Sequence, residues 1–66
     1  MSSNLLRVRS LARAVTIAGG VERLALRLRM RESQLELLLK GLMPVSEELF
    51  FRVVDIITSA KEDGRQ

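Results

Sequence analysis

A chain of 66 residues holds one domain at most, and at that size only roughly 60 % of the unfolded surface is buried, so a monomer has a thin stability margin. Apolar residues make up 47 % of it, which excludes a disordered tail, and the absence of cysteine and histidine removes a disulfide framework and the usual zinc ligands. The net charge of +3 conceals an asymmetry: residues 1–31 carry seven arginines and one acid, Glu22, while residues 32–66 carry four bases and seven acids, so the first half points to a polyanion such as a phosphate backbone.

The first helix is expected over 4–18, "NLLRVRSLARAVTIA". Leu5, Val8, Leu11, Ala12 and Val15 fall on one arc, Leu6 and Ile17 lie outside it, and Arg9 and Arg13 form a basic ridge beside it. Ser3 or Asn4 can cap its start, and Gly19-Gly20 can end it in a left-handed turn. This acid-free beginning has a loose likeness to a transit peptide, but its removal would cost the chain a helix, and a cytoplasmic location is expected.

A short second helix is expected over 21–28, with Leu24, Ala25 and Leu28 inward. Residues 29–31, "RMR", break the chain. A third helix over 32–40, "ESQLELLLK", turns Leu35 and Leu38 inward and is closed by Gly41. Leu37, Leu38 and Leu39 span about 200° of the wheel, so at least one of them faces outward.

The loop "LMPVS" holds the only proline, and Ser46 can cap the fourth helix, expected over 46–60. There Leu49, Phe50, Val53, Val54, Ile56 and Ile57 cover an arc near ~160°, wider than one packing seam needs. Glu47 and Glu48 suit the positive end of that helix dipole. Residues 61–66 read as a polar, frayed tail. With no strand signal and no apolar run near the ~18 to 20 residues of a membrane span, the expectation is an all-α bundle over 1–66 that does not enter a membrane.

The second and third helices have the offsets of a helix-turn-helix. Ala25 is small where the next helix must approach, the turn begins four residues later at Arg29, Met30 plugs into the core, and Leu35 and Leu38 follow ten and thirteen residues after Ala25. The stretch "LALRLRMRESQLELLLKGLMPVSEELFFRVVDII" resembles the DNA-binding domain of the phage repressor and Cro family, the Xre type. The preceding "AVTIAGGVERLA" is similar to the small Cro-like YdaS proteins, and together the likeness covers roughly residues 12–57. It implies a lambda repressor-like bundle of four or five helices, a third helix in the major groove, and a dimer on a two-part operator.

Carried over position by position, the resemblance makes Leu24, Ala25, Leu28, Met30, Leu35 and Leu38 core, and gives Glu32, Ser33, Gln34, Glu36 and Leu37 the outward positions that touch bases and phosphates. Arg9, Arg13, Arg23, Arg27, Arg29, Arg31 and Lys40 would then hold backbone phosphates. Three features depart from the family pattern. Arg29 stands where glycine is preferred, Glu32 and Glu36 bring negative charge to a phosphate-facing surface, and the leucine run exposes an apolar side chain. Glutamate can still accept a hydrogen bond from cytosine N4.

Plainer readings stand beside these. The arginines could only solubilise an apolar bundle, Glu32 could serve only the helix dipole, and Ser33 and Gln34 could be ordinary early-helix residues. A second functional reading is a protein-interaction module, supported by a surplus of apolar side chains: Leu26, Leu37 or Leu39, Leu42, Met43 and Phe51. A homodimer is expected through the fourth helix, at Leu49, Phe51 and Ile56. No enzyme, cofactor, metal or small-molecule substrate is expected: without histidine, cysteine or tyrosine, only the Glu32–Glu36 pair offers acid–base spacing, and a solvated pair on a small bundle does little.

Overall fold

Among the described residues, local chain chemistry forms four helices: α1 (Ser3–Ala18), α2 (Val21–Leu28), α3 (Glu32–Leu39) and α4 (Glu47–Gly64). The computed structural model describes residues 3–64, and side chains over 4–60. Among these residues there is no strand, and no helix is long and apolar enough to cross a membrane. The radius of gyration, 11.4 Å, is close to the ~11 Å of a packed chain this long.

The helix ends explain the division. After α2, the Met30 amide donates to the Ala25 carbonyl and the Arg29 amide to that of Leu26. After α3, the Leu42 amide reaches Leu37 and the Gly41 amide reaches Leu38. After α1, the Gly20 amide closes back on Val15. These six-residue closures satisfy carbonyls that a helix end leaves open, and each requires a left-handed residue just past the helix. Gly19 (φ 97°) and Gly41 (φ 76°) fill that position twice; Arg29, at φ 58° and ψ 47°, fills it once. A side chain there costs about 1 kcal/mol relative to glycine.

The start of α4 is capped as the sequence suggests, with the Leu49 amide donating to Ser46 Oγ at 3.1 Å. Its end is not where the sequence suggests. The helix runs on to Gly64 through part of the expected tail, since Ala60, Lys61 and Glu62 are strong helix formers. The start of α1 also differs. The helix begins at Ser3, and Asn4 lies inside it rather than capping it; whether the Ser3 side chain caps lies outside the described residues.

Leu11, Ala14, Leu24, Ala25, Leu28, Leu35, Leu38, Val45 and Val53 form the buried core, so every helix and the 40–46 loop contribute. Helix α1 is the hub: it packs on α4 most extensively and also on α2 and α3. Its inward stripe is not the one read from hydrophobicity. Leu5 and Ala12 are exposed, while Ala14 is fully buried and Ala18 packs at the core edge. The true stripe is rotated roughly 60° on the wheel, at ~100° per residue, toward Asn4 and Arg7.

Those two polar side chains are the reason. The Val45 amide donates to Asn4 Oδ1 at 2.8 Å, and Arg7 Nη1 donates to the Val45 carbonyl at 2.8 Å. The Arg7 guanidinium also lies 5.4 Å from the centre of the Phe50 ring, within cation–π range. Helix α1 thus fastens the loop before α4 by both polar groups of one backbone residue.

Candidate nucleic-acid interface

Helix α3 is anchored by two side chains and offers the rest. Leu35 and Leu38 are buried and Leu39 packs at the core edge, whereas Glu32, Ser33, Gln34, Glu36, Leu37 and Lys40 are all exposed. With two anchors three residues apart, the outward positions follow from the helical repeat. Leu37 is the leucine of the run that faces solvent, 39 % exposed. The Arg31 backbone, extended at φ −77° and ψ 144°, opens the helix with no side-chain capping bond. Glu32 occupies the first turn, where a carboxylate suits the dipole.

Every cation in the expected phosphate set is exposed: Arg9 and Arg13 on α1, Arg23 and Arg27 on α2, Arg29 and Arg31 in the turn, and Lys40 past α3. Arg7 is not part of this surface, because its guanidinium is committed to Val45 and Phe50. Seven arginines in the first half therefore divide into one structural and six presented to solvent. Among the described residues the side-chain ion pair is Arg52 with Glu48, at 3.5 Å and largely exposed, and pairs of that kind contribute ~0 to 1 kcal/mol.

The residues expected at a dimer seam separate. Phe51 is 61 % exposed, with Val54 partly exposed one turn on, but Leu49 and Ile56 are half-buried against the protein's own core. The wide apolar arc of α4 is thus mostly covered from within, chiefly by α1. Phe51 is flanked by Glu47 and Glu48 before it and by Arg52, paired with Glu48, and Asp55 after it, so the apolar spot has a rim that is acidic on balance. Of the other apolar residues expected at a partner surface, Leu26 and Leu42 are well exposed and Met43 is half-buried.

One feature gave no local signal in the sequence. Helices α2 and α4 both rest on α1 and leave between them a cleft of about 280 Å³, lined by Arg27, Leu28, Arg29, Arg52, Asp55 and Ile56. It joins the α2 terminus to a helix more than twenty residues away. Comparison with known protein families, curated proteins and solved structures found no match to this chain.

Proposed function

We propose that the chain is a small sequence-specific DNA-binding transcriptional regulator of the repressor and Cro type, with a lambda repressor-like arrangement of its helices. In this reading α3 enters the major groove and the exposed arginines hold the phosphates. The observation that carries it is α3 itself: two buried leucines fix the helix, a short turn joins it to α2, and a polar face of Glu32, Ser33, Gln34 and Glu36 is open to solvent, on a chain whose α1, α2 and turn present six further arginines to solvent. Phosphate contacts supply affinity and base edges supply sequence preference. Gln34 is the best reader, because its amide can pair both ways with adenine N6 and N7.

The test is binding to a generic duplex across a salt series, followed by site selection with Gln34→Ala. Neutralising Z phosphates gives a slope near −0.9Z in log K against log salt. Gln34→Ala is expected to relax preference at one base pair, worth about 1 to 3 kcal/mol, with little change in the salt slope. No duplex binding by the folded protein at low salt would reject the proposal.

The exposed Leu26, Leu37 and Leu42 favour a second reading, a protein-interaction module on the same scaffold. It predicts that Leu37→Ser abolishes capture of a protein partner while duplex binding is absent in the parent.

A further inference from the structure

We propose that the cleft between the carboxyl-terminal turn of α2 and helix α4 is a phosphate-binding site built from Arg27, Arg29 and Arg52. It shares Arg27 and Arg29 with the phosphate contacts proposed above, adds Arg52, and does not depend on α3 entering a groove. Three arginines from two separate elements line the cleft, against one acidic residue, Asp55. Among the described residues Arg27 and Arg29 have no carboxylate partner, and Arg52 is held only by its exposed pair with Glu48. All three are therefore free to turn toward an anion. Arginine's planar fork matches phosphate oxygens two at a time. A single carboxylate ligand would be satisfied by one such fork; three arginines against one acid suit a phosphate.

The cleft, about 280 Å³ and open to solvent, has room for a phosphate group, with whatever carries that group left outside.

The Arg29 backbone is the independent observation. At the same position past α1 and α3 the chain uses Gly19 and Gly41, yet past α2 it holds an arginine in the left-handed conformation. Cations are favourable near any helix carboxyl end, which accounts for Arg27 without a ligand. It does not account for a cation at a position where the backbone is strained, since unstrained neighbours would serve the dipole as well. Strain kept in a folded protein points to a role for the side chain that causes it.

Two sources share this chemistry, a nucleic-acid backbone phosphate and a small phosphorylated ligand, and one experiment separates them. Arginine Nε–H resonances of the full chain are followed by NMR as inorganic phosphate is added at constant ionic strength, then again with a short duplex present. Saturable shifts are expected at Arg27, Arg29 and Arg52 and not at Arg9 and Arg13. Arg29→Gly and Arg52→Gln should each weaken phosphate binding at least about tenfold, equivalent to 1.4 kcal/mol, and Asp55→Asn should tighten it. Shifts spread equally over Arg9 and Arg13, or an unchanged phosphate affinity in Arg52→Gln, would overturn the site. Displacement of phosphate by the duplex assigns the cleft to a backbone phosphate; retention assigns it to a small ligand. Duplex binding with no phosphate response removes the cleft and leaves the α3 reading standing. Phosphate binding with no duplex binding supports the cleft and removes the α3 reading.

Discussion

Asn4 and Arg7 hold Val45 by its amide and its carbonyl, and Val45 itself is 2 % exposed. A buried backbone group that loses its partner costs about 1 to 3 kcal/mol. Asn4→Ala is therefore expected to lower stability by about 1 to 2 kcal/mol, although alanine is the better helix former. Asn4→Asp, which keeps an acceptor in the first turn of α1, should retain most of it; urea melts of the two variants check this, and equal losses would refute the clamp. Arg29 is the opposite case. Arg29→Gly removes the left-handed penalty and should raise stability by about 1 kcal/mol, seen as a melting midpoint ~4 to 8 °C higher. A lower midpoint would mean that the Arg29 side chain holds the fold together. The strain at Arg29 was expected from the family resemblance, in which that position prefers glycine. The clamp was not, because nothing local in "NLLR" announces a partner some forty residues on.

The same clamp explains where element-scale reading succeeded and failed. On α2 and α3 the buried positions Leu24, Ala25, Leu28, Leu35 and Leu38 follow from apolar spacing, since apolar residues alone face inward there. On α1 two polar side chains face inward, so a hydrophobicity arc is drawn to Leu5 and Ala12 and away from Ala14. The outer face of α3 was legible once its two anchors were fixed; the α2–α4 cleft depends on how both helices lean on α1 and was not. Helix α3 also begins in an unusual way. The Arg31 backbone has N-cap geometry but its side chain makes no capping bond, whereas Ser46 caps α4. Arg31→Ser would supply an oxygen for the Gln34 amide and should stabilise the fold by about 1 kcal/mol. If Arg31 holds a phosphate, the same change weakens binding to every duplex alike and reduces the salt slope by about 1. Melting and salt series on one variant read both effects. A stabilised protein with unchanged duplex affinity would take Arg31 out of the interface.

At the scale of the whole molecule, charge decides how two copies could meet. The first half is basic and the second acidic, and Phe51, the most exposed apolar side chain of α4, sits among Glu47, Glu48 and Asp55. Since Leu49 and Ile56 are engaged by the core, self-association would rest on Phe51 and Val54, a small seam that implies a weak dimer. Two geometries remain, and salt tells them apart. A two-fold α4–α4 dimer brings the acidic rims together, so added salt screens repulsion and tightens it. A head-to-tail contact sets the acidic rim against the arginine ridge of α1, so added salt loosens it and the contact need not close at two copies. The expected outcome is a dimer by sedimentation at micromolar concentration that strengthens as salt is raised and is lost in Phe51→Glu, which adds a fourth acid to the patch. Weakening with salt would select the head-to-tail contact, with species larger than a dimer at high concentration. A Phe51→Glu variant that associates like the parent would remove α4 from the interface altogether.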